Sequence, residues 1–472
     1  MPLEASDDRE TEALLNAAKV PTRLSRYFLR SRKLVTHLGA WTLLDQVFAS
    51  LTNFSTGILI GRFCSKGELG RYMLGYSVIL FAMAFQQMLI SSPYILIRPR
   101  LLAEEAARYT SGAYTQQFAM GGALSFVLLC AAFGFHIAHS WLAIVMLSLA
   151  FASPLFLFKE MFRRVCFAHL HVRSALVADF TIGLLQISIL AALALSGHLS
   201  APTGILAVGV ACGMLAIMWF LRNRRRVEFR IQDARNVLDR NWRLGRWIIG
   251  SQILWAASLY SYPWLISRMH GPAAAGVWAA CFGINALANP LLLGVQNYVE
   301  PRISHAFADG GIPRMCTFVW KATGLLTISM LLFSALVFFA GDLLTVLLYG
   351  AKYAGNGLTL FVLTLSFVAG AAGWAFSCGF FAADRGNLDL QISWVYPVIM
   401  CAVGFPLVKL YGPLGAAASL LIANALASSL RALRFLITFR ALPIRHDGST
   451  SSSTPLSQTR SIGSAEELTQ YE

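Results

Sequence analysis

Charge is scarce in this sequence. Only 13% of its 472 residues are Asp, Glu, Lys or Arg, while 57% are hydrophobic. Soluble domains carry about 25% charged residues, so most of this chain is not built to meet water. Acid is scarcer than base: 23 Asp and Glu stand against 38 Lys and Arg, a formal net charge of +15. A basic excess can mark a nucleic-acid partner. Here the cations fall in short segments between apolar runs, as the topology signals of membrane proteins do, and no nucleic-acid partner is expected. Paired cysteines are also missing. Cys64, Cys130, Cys166, Cys212, Cys281, Cys316, Cys378 and Cys401 stand singly, with no CxxC and no His beside a pair. That argues against a disulfide framework or a zinc centre, and for small apolar residues inside helices. There is no P-loop, HExxH or GxSxG, and no polar segment long enough for a nucleotide-binding domain. The chain therefore reads as neither an enzyme nor an ATP-driven pump, with no cofactor and no metal. Residues 1–38 are polar, with no apolar core before Gly39, so the first spanning helix rather than a cleaved signal peptide is expected to direct insertion.

What is present is a succession of long apolar runs. A helix needs about 20 mostly apolar residues to cross the hydrocarbon core. Windows of that size predict spans at 39–61, 73–97, 116–138, 140–160, 174–196, 202–221, 247–267, 273–299, 317–340, 357–382, 389–410 and 414–438. Counting Lys and Arg in alternate segments, with those inside a span assigned to the segment adjoining its nearer end, 32 of the 38 belong to the N-terminal segment, the loops after even-numbered spans and the C-terminal end; 6 belong to the loops after odd-numbered spans. The positive-inside rule then places both termini in the cytoplasm and supports an even number of spans. The expected layout is a cytoplasmic N-terminal segment (1–38), a first six-helix bundle (39–221), a basic cytoplasmic linker (222–246), a second bundle (247–440) and a disordered Ser/Thr-rich tail (441–472). The nine arginines of the linker read first as topology determinants in contact with anionic headgroups, and second as a docking site for a cytoplasmic partner.

A basic segment at mid-chain prompts a search for duplication. Residues 39–70 laid over 245–276 without a gap match Gly39 to Gly245, Trp41 to Trp247, Gln46 to Gln252, Ser55 to Ser261, Arg62 to Arg268 and Gly70 to Gly276. Two echoes follow: Arg98-Pro99-Arg100 with Glu300-Pro301-Arg302, and Pro202-Thr203-Gly204 with Pro413-Leu414-Gly415. Spans 1–6 and 7–12 thus read as parallel repeats, an all-α membrane fold whose substrate site lies in a central cavity between them.

Polar groups inside the spans mark candidate sites. Asp45, Thr52 and Thr56 share one face of span 1, with Gln46 and Asn53 beside it; Asn285, Asn289 and Gln296 share a face of span 8. Span 2 offers Gln87, Ser91 and Tyr94, and span 7 offers Ser251, Gln252, Ser258 and Ser261. Such stripes turn away from lipid, toward a cavity or another helix. Asp45 and Asp179 lie within spans and are candidates to couple transport to protons or sodium, or to pair with a cation. Arg62 and Arg268 cap spans 1 and 7, and Arg302 and Lys321 flank the loop after span 8. Such cations suit a pyrophosphate, or simple interfacial anchoring. The candidate substrate-binding set is Gln46, Asn53, Arg62, Gln87, Gln252, Arg268, Asn289, Gln296, Arg302 and Lys321.

Three segments carry a family resemblance. Gly61-Arg62 with Gly67-Glu68-Leu69-Gly70-Arg71-Tyr72 resembles the first-loop pattern of the polysaccharide-transport flippases. Leu347-Leu348-Tyr349-Gly350 with Lys352-Tyr353-Ala354 is similar to that family's turn before span 10, and Tyr411-Gly412-Pro413-Leu414-Gly415-Ala416-Ala417 to the start of its last spans. The likeness runs over residues 35–440 and points to the superfamily of multidrug, oligosaccharidyl-lipid and polysaccharide exporters. It implies a monomeric flippase in the cytoplasmic membrane. Its cargo would be a lipid-linked oligosaccharide of the undecaprenyl-pyrophosphate type, for O-antigen or exopolysaccharide assembly, with a polymerase or glycosyltransferases as partners. The alternatives are a cation-coupled multidrug antiporter of the same superfamily, expected to carry a more acidic pocket, and a non-transporting scaffold for glycosyltransferases docked through the arginine-rich segment.

Overall fold

The structure is a computed structural model and describes residues 22–223 and 231–440. The tail 441–472, residues 1–21 and residues 224–230 of the arginine-rich segment lie outside the described residues. All regular structure among the described residues is helical. The first six helices are α1 (Thr22–Phe63), α2 (Lys66–Arg100), α3 (Ala103–Ile137), α4 (Leu142–Ala168), α5 (Val172–Leu195) and α6 (Ala201–Asn223). The second six are α7 (231–270), α8 (272–309), α9 (312–349), α10 (Gly357–Ala382), α11 (Gly386–Tyr411) and α12 (Pro413–Arg440). Gly271 (φ 80°, ψ 169°) separates α7 from α8, and Gly311 (φ 60°, ψ −156°) separates α8 from α9. Both sit where an L side chain would be strained, which is what lets the chain reverse there. Among the described residues, ten continuous stretches are long and apolar enough to cross a membrane. The reversals divide two of them into α7, α8 and α9, and α1 adds the twelfth helix.

Every expected span falls on one of these helices, three of them overshooting a helix end by one or two residues, and most helices overrun the span at one end or both. A hydropathy window registers only the hydrocarbon core, whereas the helix continues into the headgroup layer wherever its residues favour helix. The Arg- and Leu-rich stretch before Gly39 continues α1 back to Thr22, and residues 231–246 continue α7.

The second half of the linker is therefore not a free loop. It docks on the first bundle: Tyr109 donates to Asn241 Oδ1 at 2.8 Å, Asn241 to Leu89 O at 3.0 Å and Gln116 to Ala234 O at 2.6 Å. Arg240 pairs with Glu105 at 2.7 Å, and Val237 and Asn241 are buried.

The repeat is visible in the packing. A Cβ on Gly70 would overlap Pro272 O, and a Cβ on Gly276 would overlap Lys66 O. These two clashes exchange under the sequence match of Gly70 with Gly276, so a pseudo-twofold axis runs between the two glycines, where α2 and α8 cross backbone to backbone. This crossing lies at the end of the bundle where α1 and α7 finish, called here the far end; the near end is where they begin. The core follows the same division. At the far end one apolar core joins both halves, through Ile60, Leu69 and Tyr72 with Tyr262, Ile266, Trp278 and Val408. At the near end the cores are separate: Ile90, Tyr94 and Phe158 of the first half, joined by Val237 from the docked start of α7, and Ile303, Val319, Phe380 and Phe435 of the second half.

Candidate functional site: a buried charge cluster and an amide-lined seam

The first half holds a cluster of charges in its interior. α4 continues past the expected boundary at residue 160 to Ala168, which carries Lys159, Glu160, Arg163 and Arg164 into the bundle. Facing them are Asp45 on α1 and Asp179 on α5, at 0% and 5% exposure. Lys159 Nζ lies 3.1 Å from Asp179 Oδ1, Arg163 Nη1 lies 3.4 Å from Asp45 Oδ2 and 3.8 Å from Asp179 Oδ2, and Glu160 takes Arg164 Nε at 2.9 Å and Arg163 Nη2 at 3.4 Å. The amide oxygen of Gln46 accepts from both terminal nitrogens of Arg163 at 3.2 Å. Three carboxylates and three cations balance, which is what makes such burial tolerable. The geometry is still incomplete. Asp45 Oδ1, Asp179 Oδ2 and Arg163 Nε are buried without a hydrogen-bond partner. Two carboxylates share one guanidinium nitrogen and each keeps an oxygen that lacks a donor.

The face of α1 bearing Asp45, Thr52 and Thr56 packs on α5. Gln186 donates to Thr56 Oγ1 at 2.7 Å, and Thr52 Oγ1 occupies the space a side chain on Gly183 would need. Of the two outcomes open to this stripe, contact with another helix is the one realised. The serines of α7 are likewise satisfied locally, Ser251, Ser258 and Ser261 each donating to the carbonyl four residues earlier.

The remaining candidates form a different set. Gln87, Gln252, Asn289 and Gln296 are half-buried and Asn53 is exposed, and their amides make no hydrogen bond to protein among the described residues. Asn285 is buried with neither its nitrogen nor its oxygen partnered. By contrast the structural amides are bonded: Gln86 to Gln117 Oε1 at 2.7 Å and Leu157 O at 2.8 Å, and Asn424 to Ser366 O at 3.0 Å. Amides on α1, α2, α7 and α8 left to other partners line up with the helices that meet at the axis. Those helices are also irregular there: α2 has a π-turn at Gln87–Ser91 and α8 a 3₁₀ turn at Ala286–Ala288. Such breaks free backbone groups and are common at functional sites. Arg302 and Lys321 are exposed at the near end of α8 and α9.

Arg62 has another setting. It donates to Leu347 O at 3.4 Å across the far-end seam, where Lys352 in turn donates to Arg62 O at 3.3 Å and to Cys64 O. Burial holds the Lys352 ammonium below the ordinary lysine range; Cys64 opposes that shift and Lys66 adds to it. Tyr349 fills the space left by Gly57 and Gly61 of α1 and Gly283 of α8. Arg268 is exposed at the same end.

The second half carries its own buried network, which sequence reasoning missed. Arg431 Nε donates to Asp389 Oδ1 at 2.8 Å, its Nη1 to the Tyr396 hydroxyl at 3.0 Å and its Nη2 to Ser393 Oγ at 3.3 Å; Ser377 donates to Asp389 at 2.7 Å. No group of three or more potential metal ligands occurs among the described residues.

Two six-helix halves around an axis, closed at one end, can be compared with solved structures. The fold is that of the MATE transporters. A multidrug-resistance MATE family transporter of the MOP superfamily, in an inward-facing conformation, superposes with a TM-score of 0.70 at 16% identity, over 83% of this chain and 95% of that one. A MATE protein in complex with MaL6 gives 0.63 at 15%, over 87% and 96%. A MOP superfamily transporter from Pyrococcus furiosus, described as having a binding pocket of reverse polarity that suggests a different function, gives 0.62 at 14%, again over 87% and 96%. No protein-family model matches the chain, and no curated protein does. At these identities the likeness establishes the MATE fold, and substrate must be argued from residues.

Proposed function

We propose that this protein is an alternating-access transporter that flips a lipid-linked oligosaccharide, of the undecaprenyl-pyrophosphate type, across the cytoplasmic membrane. The near end faces the cytoplasm in this reading, which the distribution of basic residues supports. The shared far-end core and separate near-end cores support a seam that opens toward the cytoplasm, as in the inward-facing MATE structure it resembles.

The observation that carries the choice of cargo is the disposition of acids. Asp45, Glu160, Asp179 and Asp389 are each neutralised by Arg or Lys inside their own half. The seam offers a ligand amide groups and, at its near end, the exposed side chains of Arg302 and Lys321 beside Glu300. Amides suit sugar hydroxyls and the cations suit a pyrophosphate. A cationic drug would find those four carboxylates already paired. The multidrug antiporter stands as the second reading because the solved structures of this fold include multidrug MATE transporters.

Within the flippase reading, Asp45 and Asp179 are the coupling groups. Lys159 and Arg163 already occupy the cation positions beside them, so a proton on one of the donor-deficient oxygens fits better than a sodium ion. The test is transport in proteoliposomes loaded on one side with a lipid-linked oligosaccharide, beside efflux of a cationic dye from the same preparation. Translocation of the glycolipid without dye efflux is expected. Dye efflux without glycolipid movement would move the protein to the antiporter class, and neither activity would favour the scaffold.

A further inference from the structure

A cavity of about 740 Å³ lies on the second half at the near end, away from the seam between halves. Trp247 of α7, the turn Ala383–Asp384–Arg385, and Asn387, Leu390, Gln391 and Trp394 of α11 line it. Its shape is built in. Leu390 sits in the space left by Gly250, and Trp247 lies against Gly386. Asp384 holds a left-handed backbone (φ 55°) that turns α10 into α11, the same turn that Leu170 (φ 59°) makes between α4 and α5. The turns share their hydrogen bonds, Leu170 N to Phe167 O and His171 N to Cys166 O against Asp384 N to Phe381 O and Arg385 N to Phe380 O. This sets the two halves in register at a separation of 214 residues. In the first half Arg173 covers the indole of Trp41 at 5.3 Å. The register puts Asn387 where Arg173 stands, and the cavity lies beside the matching indole of Trp247.

Three features define what fits there. Asp384 and Arg385 are exposed and have no ion-pair partner among the described residues, so the cavity offers one anion and one cation side by side. Arg246 lies over the outer ring of Trp247 at 5.1 Å and adds a second cation at the rim. Two tryptophans, 44% and 57% exposed, wall it near the level where α10 ends, α11 begins and the apolar span of α7 starts, the depth at which indoles meet lipid headgroups. From Trp394 an exposed apolar stripe runs toward the far end through Val398, Cys401 and Phe405, at helical spacings that keep one face.

We propose that this cavity holds the headgroup of an amine-bearing glycerophospholipid, with its phosphate at Arg385, its ammonium at Asp384 and an acyl chain along Trp394, Val398 and Phe405. Arginine binds phosphate through paired hydrogen bonds, and an ammonium with its own protons can donate to a carboxylate. The apolar stripe leading out of the polar cavity is what favours a lipid over a soluble phosphate compound.

Native mass spectrometry of the full chain in mild detergent tests this, with phosphatidylethanolamine, phosphatidylglycerol, phosphatidylcholine and soluble glycerophosphoethanolamine as probes. One phosphatidylethanolamine should be retained in preference to the other two lipids, without competition from the soluble compound. Arg385→Ala and Trp394→Ala should each weaken it about tenfold, Asp384→Asn should abolish the preference over phosphatidylcholine, and Arg173→Ala should change nothing. All four side chains are at the surface, so the variants are expected to fold. Equal retention of all three lipids, unchanged retention in both Arg385→Ala and Trp394→Ala, or displacement by the soluble headgroup would each overturn the proposal.

Discussion

The two halves share a fold and a register, yet their buried charges are built differently. With the 214-residue register, Arg163 stands where Ser377 does and Asp179 where Ser393 does. In the second half those serines are ligands rather than charges, and the ion pair comes from Asp389 and Arg431 instead. That pair is complete: its arginine donates to three oxygens, and neither residue keeps an unpartnered buried atom among the described residues. The cluster of the first half spreads six charges over three helices and leaves three buried atoms unpartnered. A closed network rigidifies, whereas an incomplete one has a second state within reach, which under the proposed function a proton would supply. On that proposal the first half is the switch and the second the frame.

Substitutions can break this comparison in order of expected size. Arg431→Ala leaves Asp389 buried without its cation and should cost about 3–5 kcal/mol of stability, read as the largest fall in thermal unfolding temperature in detergent. A replacement of both residues by apolar ones of similar volume should recover much of that loss. Gly70→Val forces α2 from the α8 backbone at the axis. An overpacked contact of this kind costs about 1–3 kcal/mol and should open the far end, so that Cys64 in the far-end turn reacts faster with a membrane-impermeant maleimide. Asp45→Asn should cost about 1 kcal/mol, well below Arg431→Ala, because Arg163 keeps Glu160, Asp179 and Gln46. Lys352→Ala removes two hydrogen bonds across the far-end seam, each worth about 1 kcal/mol, and should raise Cys64 labelling less than Gly70→Val does.

The contrast also marks what a sequence can show. The twelve spans and the repeat were legible because bilayer thickness imposes a length and duplication imposes a register. Gly70 and Gly276, matched by alignment, turned out to touch across the axis that relates them. Asp45 and Asp179 stood out as acids in apolar runs. Lys159, Glu160, Arg163 and Arg164 did not, because charges at the end of a hydropathy window look like a loop. Their spacing at i, i+3 and i+4 around Glu160 was the available signal of a self-neutralising helix face. Asp389 and Arg431 lie 42 residues apart on different helices, and no local pattern links them. Arg62 read equally well as a cargo contact and as an anchor; only the fold brings it to the carbonyl of Leu347.

The most direct test of the division of labour is glycolipid translocation in proteoliposomes under an imposed pH gradient, comparing Asp45→Asn and Asp179→Asn with Asp389→Asn. The two first-half variants should stay folded and transport at a rate that no longer responds to the gradient, while any active fraction of Asp389→Asn keeps the full response. An unchanged gradient response in both first-half variants, or loss of the response in Asp389→Asn alone, would contradict the assignment of switch and frame.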